Sequence, residues 1–356
     1  MDERAPDASA LGARLRDFLA APIDSLRVLA SGWETIVFEF ALAAPSPRIP
    51  GVPAGAPLVL RLYDAGRGDD KGPREYAAMR AVAAAKLPVP AAHLFEPSRE
   101  ALGAPFLIMQ RLDGGPMFAT HSFPAAFMTF TLGFTGFVRT HAALHKIDPG
   151  IATLRSIKPA FITDTIASGS PLLDRILSVV GERIEKGPLP GLREAHRSLV
   201  ARATAYRDAR PSIVHMDYHP QNVLVRGPRI SGVIDWVSAD IGDRHLDIAT
   251  TAVILATSTM EHPRWMRANV VGNSLRRLYN SLYLGLHHAV APLDFDRLRY
   301  CQAVAAVLRL SMFGTMRSRG AAAAGFRPDS IAQVTPSVVA ALSAYAARKT
   351  AIPVSI

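Results

Sequence analysis

Hydrophobic and polar positions divide the chain into a front third that alternates like β-sheet and a remainder that repeats like helix. Residues 8–20 place Leu11, Leu15, Phe18 and Leu19 on one helical face, and Pro22 ends the segment. Leu26–Ala30 and Ile36–Leu42 read as two strands joined across a turn that contains Gly32. Residues 43–57 hold five prolines and two glycines, which predicts an irregular connection. Leu58–Tyr63 is a third strand, a helix is expected from about Arg74 to Ala85, and Phe106–Arg111 reads as an apolar strand after the Pro88–Pro90 break. Beyond Asp113 the 3.6-residue period takes over. Helices are expected over 124–146, 171–186, 191–208, 246–260, 264–288, 294–317 and 330–348, interrupted by short extended pieces at Ile213–Met216, Val223–Val225 and Ile230–Ile234. The fold class is therefore α+β, with a β-rich unit over residues 1–112 and a helical unit over 113–356.

Composition narrows the classes. At 356 residues, 49% hydrophobic and 20% charged, the chain suits two lobes with a sizeable core. The longest apolar run, Ile248–Met260, is broken by Thr and Ser and falls short of the ~18 residues that span a bilayer, so no membrane association is expected. The opening Met1-Asp2-Glu3-Arg4 lacks the basic-then-apolar order of a secretory leader. The single cysteine, Cys301, has no internal partner and sits in an apolar helical pattern, where an inert buried thiol is expected. Together these predict a cytoplasmic protein. A formal charge of +10 raises the question of nucleic acid. From Thr251 onward there are twelve Lys/Arg against four Asp/Glu, yet the arginines are dispersed and no basic run or aromatic-interleaved stripe occurs, so nucleic acid is not expected as a partner.

The densest polar chemistry is His215-Met216-Asp217-Tyr218-His219-Pro220-Gln221-Asn222, between strand-like flanks and followed by Ile234-Asp235-Trp236. Asp217 and Asp235 lie eighteen residues apart with an amide, Asn222, between them. That set offers one base and two oxygen ligands for a hard cation such as Mg²⁺. A second reading uses the alternation of His215, Asp217 and His219, which on an extended strand would point one way, bind a transition metal with Asp235 and make a hydrolase. Pro220 argues against a regular strand continuing there.

His215–Leu224 resembles the catalytic loop of the aminoglycoside phosphotransferase and choline kinase-like family, relatives of the protein kinases, whose pattern is His-x-Asp-x-His-Pro-x-Asn-x-Leu followed by Ile-Asp-Trp. Ala239-Asp240-Ile241-Gly242-Asp243 through Asp247-Ile248-Ala249 resembles the family's stretch after its metal-binding aspartate. The resemblance spans roughly residues 25 to 250 and implies a two-lobed protein kinase-like fold, with a small β-rich N-lobe and a larger, mostly helical C-lobe. It also implies transfer of a phosphoryl group from Mg²⁺-bound ATP or GTP to a hydroxyl. By the same resemblance Asp217 accepts or orients the acceptor proton, with His215 and His219 bracing the loop, while Asn222 and Asp235 hold Mg²⁺. Gly32 falls in the nucleotide-covering hairpin, and backbone groups of Gln110–Leu112 fall at the purine edge. Arg61 stands where protein kinases carry a phosphate-contacting lysine, and Glu75 stands where its carboxylate partner is expected. Met216 and Gln221 fill positions often occupied by glycine in relatives. His141 and His145 resemble a Leu-His element to which a packing role is assigned, and Trp265, Tyr279, Tyr283 and Phe313 are expected mainly in the core.

The few acids after Asp247 (Glu261, Asp294, Asp296 and Asp329) point away from a polycationic acceptor and toward a neutral, weakly basic or anionic hydroxyl compound, such as a macrolide-like or sugar-like molecule or a metabolite. An antibiotic-resistance role rests on the resemblance alone. A nucleotide-binding module without catalysis is the alternative reading, and the metal-dependent hydrolase on His215, Asp217 and His219 is a further one. The choice of nucleotide and the oligomeric state are open at this level.

Overall fold

The computed structural model describes residues 8–31, 35–63, 71–117, 129–150, 159–207, 210–257 and 270–356. In the front part, α1 (Ala8–Leu19) precedes β1 (Arg27–Ser31), β2 (Thr35–Ala41) and β3 (Pro57–Tyr63); α2 (Lys71–Ala84), β4 (Ala92–Glu96) and β5 (Phe106–Gln110) follow. The five strands form one antiparallel sheet in the order β1-β2-β3-β5-β4. Strand β4 escapes sequence detection because it is five residues long and begins directly behind the Pro88–Pro90 break.

Period-two alternation assigns the faces of β3 and β5. Leu58, Leu60, Leu62, Phe106 and Ile108 join Leu11, Leu15 and Leu19 of α1 in one core, where Phe18 meets Phe106 edge-on at 5.1 Å between ring centres. Val59, Tyr63, Leu107 and Met109 face the other way and join the large core shared with the helical part. Arg61 belongs by alternation to this second face, so its side chain points toward the helical lobe from the middle of an apolar strand.

The helical lobe is built from α3 (Phe134–Leu144), α4 (Leu172–Lys186), α5 (Arg193–Arg202), α6 (Arg244–Thr257), α7 (Val270–Val290), α8 (Phe295–Arg319) and α9 (Pro336–Thr350). Two small sheets lie against it. In one, β6 (Gly115–Pro116), β8 (Val223–Arg226) and β9 (Arg229–Val233) run in the order β6-β8-β9; in the other, β7 (Ser212–Val214) pairs with β10 (Asp240–Gly242). Gly114 enters β6 at φ +102, where a side chain would strike the Val225 carbonyl, so the chain needs glycine to cross between the lobes here. The protein thus has a small β-rich lobe and a larger helical lobe in a protein kinase-like arrangement. Tyr279, Tyr283, Phe313 and Cys301 are buried core residues; Trp265 lies outside the described residues.

A buried ion pair fixes β10. Arg175 on α4 grips both Asp240 oxygens, at 2.8 and 2.9 Å, while the backbone N–H groups of Ala160 and Ile241 donate to the same carboxylate. Stripping one partner from such a pair costs far more than replacing both by apolar groups. Arg175→Met is expected to lower unfolding stability by about 3 kcal/mol in a urea titration, and the double variant Arg175→Met/Asp240→Leu to lose less than the single one.

Candidate functional site

Strand β7 ends at Val214, and the chain then forms a short loop, His215–Asn222, before β8. Asp247, fully buried on α6, clamps the start of this loop: its carboxylate accepts the backbone N–H of His215 and of Met216, each at 2.8 Å. Met216 sits at φ +62, the left-handed region that glycine occupies freely. Its side chain is buried nonetheless, so this chain combines a conformation suited to glycine with the packing of a methionine. Asp235 repeats the feature at φ +66 just after β9, and the N–H of the preceding Ile234 donates to the Asn222 carbonyl at 2.9 Å. Two constrained backbone points therefore flank the Asp217 loop and hold it beside Asp235.

His215 is buried and neutral in character: burial lowers its pKa more than the carboxylates around it raise it. Its Nε2 lies 3.0 Å from the Ile234 carbonyl, and its Nδ1 accepts from the Asp217 N–H at 3.3 Å. Both ring nitrogens are thus spent on backbone, and His215, Asp217 and His219 do not form a metal-ligand cluster among the described residues. The hydrolase reading loses its ligand set on this geometry. Asp217 keeps about a third of its side chain open to solvent, and His219 Nε2 stands 3.4 Å from its Oδ1. Burial pushes the Asp217 carboxyl up, but His219, His215 and the more distant Arg309 outweigh it and bring the pKa down to about 2. The Asn222 side-chain N–H₂ donates to the Asp217 carbonyl at 3.0 Å and to its Oδ2 at 3.1 Å. No partner is described for Asn222 Oδ1 or for Asp235 Oδ2. An amide oxygen and a carboxylate oxygen are the donor types that Mg²⁺ prefers, so these residues fit such a cation.

From the other lobe, Arg61 reaches into the same place. Its Nη1 donates to Glu75 Oε1 and its Nη2 to Asp235 Oδ1, both at 2.9 Å. Burial disfavours the guanidinium charge, but Asp235 and Glu75 more than compensate and hold it charged above its ordinary value. Glu75, on α2, is fully buried; its other oxygen accepts from the Tyr63 hydroxyl at 2.6 Å, and the Trp236 N–H approaches Oε1 at 3.3 Å. Arg74, the neighbour of Glu75, donates to the Val237 carbonyl at 2.9 Å. The two lobes are therefore tied across Asp235-Trp236-Val237.

At the strand end, the Gln110 N–H is committed to the Ala91 carbonyl and the Arg111 N–H to the Pro57 carbonyl. Leu112 packs its side chain on Gly232, and no partner is described for its backbone groups. Gly32 lies outside the described residues. A concavity of about 550 Å³, lined by Asp174, Glu182 and His196 among others, sits between α4 and α5 and holds no member of the Asp217 loop. Sequence reasoning missed three partners: Asp235 for Arg61, Tyr63 for Glu75, and the carboxylate of Asp247 for the loop backbone. The signals present were an arginine inside an otherwise apolar strand and an aspartate just before the apolar run of α6.

The sequence profile of the phosphotransferase enzyme family matches residues 25–284. No curated protein sequence matches. Among solved structures, the fold is similar to a putative aminoglycoside phosphotransferase from Ralstonia eutropha, with a TM-score of 0.61 and 18% identity over 96% of this chain and 98% of that one. It is similar also to aminoglycoside phosphotransferase APH(4)-Ia, with 0.60 and 19% over 92% and 99%. Macrolide 2'-phosphotransferase MphH from Brachybacterium faecium gives 0.55 and 17% over 92% and 98%.

Two outcomes follow from the loop. Met216→Gly relieves a left-handed residue (worth about 1 kcal/mol) but forfeits a buried methionine side chain (about 2 kcal/mol), so packing wins and stability should fall by roughly 1 kcal/mol in chemical denaturation. A carbon-13 titration of the Asp217 carboxyl should show a midpoint near 2, moving up toward the ordinary carboxylate value in His219→Gln. Because the folded value is the depressed one, the stabilisation it reports is complete above the unfolded pKa and is lost as pH falls through 2.

Proposed function

Because the chain belongs to the phosphotransferase enzyme family, we propose that it moves the γ-phosphoryl group of Mg²⁺-bound ATP or GTP onto a hydroxyl of a small molecule. The observation that carries this reading is the Arg61 fork joining Glu75 to Asp235 beside the Asp217–Asn222 loop, which assembles one positive group, one unspent amide oxygen and three carboxylates at the meeting of the lobes.

Asn222 and Asp235 hold the cation, which when bound supplies positive charge to the phosphate oxygens. Arg61 serves the non-transferred phosphates, its direction set by Glu75, which is itself fixed by Tyr63 and Trp236. The nucleotide's purine edge falls to the Leu112 backbone, since the Gln110 N–H is already spent. Asp217 orients the acceptor hydroxyl and takes its proton as the acceptor oxygen–phosphorus bond forms and the bond to the bridging β,γ oxygen breaks. The nucleoside diphosphate is the leaving group. A carboxylate held near 2 is ionised throughout the neutral range, so it is always ready to accept that hydrogen bond. Its low basicity suits a loose transition state, in which positioning and charge neutralisation do more than proton abstraction.

The acceptor is a neutral, weakly basic or anionic hydroxyl compound. The helical lobe after Asp247 has few acids to pair with ammonium groups, and Arg309 on α8 lies close enough to Asp217 to help depress its pKa. A macrolide, the acceptor class in the name of one structural neighbour, falls within that range. A polycationic aminoglycoside does not.

With an acceptor found by screening, Asp217→Asn should cut turnover by about 10²–10⁴-fold while Mg²⁺-nucleotide affinity stays within roughly threefold. Asp235→Asn should instead weaken nucleotide binding and its dependence on Mg²⁺, measured by calorimetric titration. Turnover by Asp217→Asn within about threefold of the unaltered enzyme would remove Asp217 from the chemistry. Arg61→Lys replaces a two-armed fork by a point charge that cannot hold Glu75 and Asp235 together, so nucleotide affinity should fall by about tenfold.

A further inference from the structure

Asp247 carries a second group of partners besides the backbone of the catalytic loop. His141 Nε2 and His145 Nε2, one turn apart on α3, both lie 3.0 Å from Asp247 Oδ2. The three potential ligand atoms fall within 4.8 Å of one another. The same oxygen also accepts the His215 N–H at 2.8 Å, so three donors crowd an acceptor with two lone pairs. A third imidazole stands beside the group. His287 on α7 is 1% exposed, neither of its ring nitrogens has a hydrogen-bond partner, and its ring stands edge-on to His141 at 5.2 Å and 6.1 Å from His145. A buried imidazole with both nitrogens unsatisfied, beside two histidines, is what a missing ligand leaves behind.

We propose that His141, His145, Asp247 and His287 form a structural site for a tetrahedral divalent transition metal, Zn²⁺ being the natural occupant, distinct from the catalytic cation site at Asn222 and Asp235. Three imidazoles and one carboxylate are a donor set for zinc rather than magnesium, and four protein ligands make a closed, non-catalytic site. Ligands at about 2.0–2.1 Å on a tetrahedral ion lie roughly 3.4 Å apart, so the 3.0 Å spacings of His141 and His145 from Asp247 need only a small expansion, whereas the His287 ring, 5.2 and 6.1 Å from theirs, must swing in to ligate. Metal on Nε2 places the His141 proton on Nδ1, where the Tyr283 hydroxyl stands 2.8 Å away to accept it. Because Asp247 also grips the backbone of His215 and Met216, the ion would tie α3 and α7 to the root of the catalytic loop.

The test strips the full-length protein with a chelator, then titrates Co²⁺ in excess Mg²⁺, reading bound metal per chain and the visible spectrum. The expected result is one Co²⁺ per chain with the intense absorption of a tetrahedral ion, displaced by Zn²⁺, and a rise in melting temperature on adding Zn²⁺. His145→Gln and, separately, His287→Leu should each weaken binding at least tenfold, whereas Asp235→Asn should leave it unchanged. Less than one equivalent bound, a weak octahedral spectrum, or binding indifferent to both histidine variants would overturn the proposal and leave a hydrogen-bonded cluster only. Should His145→Gln fail to fold, His287→Leu and the spectrum of the unaltered protein still decide.

Discussion

The Arg61 guanidinium is the constraint on which the rest of the site depends. It is a charge buried in the middle of an apolar strand, and such a charge persists only where partners replace water. It has two, and they belong to different parts of the molecule: Glu75 on the helix of its own lobe and Asp235 at the end of β9 in the other. Satisfying one side chain therefore sets the position of α2 against the sheet and of the small lobe against the large one. Glu75 extends the arrangement through Tyr63 and the Trp236 N–H, so the segment after Asp235 is held from the small lobe at consecutive residues. A planar two-armed donor suits this double duty in a way that a single ammonium does not.

On the helical side the corresponding anchor is Asp247, a buried carboxylate whose four described donors include two consecutive backbone amides. Those amides lead directly into a left-handed Met216, and the loop that follows presents Asp217 and Asn222. Asp235 is left-handed as well, so both carboxylates of the site sit at or beside backbone that costs energy to hold. The surrounding hydrogen bonds supply the compensation: Ile234 to Asn222, Asn222 to Asp217, and the imidazole of His215 bridging Ile234 and the Asp217 amide. The result is a pair of carboxylates, Asp217 and Asp235, whose flanking backbone is held in place by hydrogen bonds.

Much of this was legible before any coordinates. Alternation over Ile36–Leu42 and Leu58–Tyr63 marked the central strands, and the 3.6-residue period after Asp113 marked the helices, because each of those patterns reflects one buried face. The spacing of Asp217, Asn222 and Asp235 marked a candidate site, and the fold brings Asp217 and Asn222 into contact with Ile234, the neighbour of Asp235, bonded to the Asn222 carbonyl. Strand β4 and the two-residue β6 were not legible, since strands that short carry too few alternations to register. Nor could spacing reveal Arg61 meeting Asp235 across 174 residues of chain, or His141 and His145 sharing a carboxylate with the loop backbone. Contacts of that kind depend on how lobes and helices dock, which no local period encodes. His145 read as packing from sequence; in the structure it is part of a polar cluster.

The most direct measurement is phosphorus-31 NMR of the protein with Mg²⁺ and ATP or GTP, across hydroxyl compounds grouped as neutral, anionic, singly basic and polycationic. A phosphomonoester resonance on a compound from one of the first three groups, growing in step with nucleoside diphosphate and absent without Mg²⁺, is the predicted result. Nucleotide bound with no ester formed on any compound, or only free phosphate released, would contradict a hydroxyl-directed phosphotransferase built on Asp217, Asn222 and Asp235.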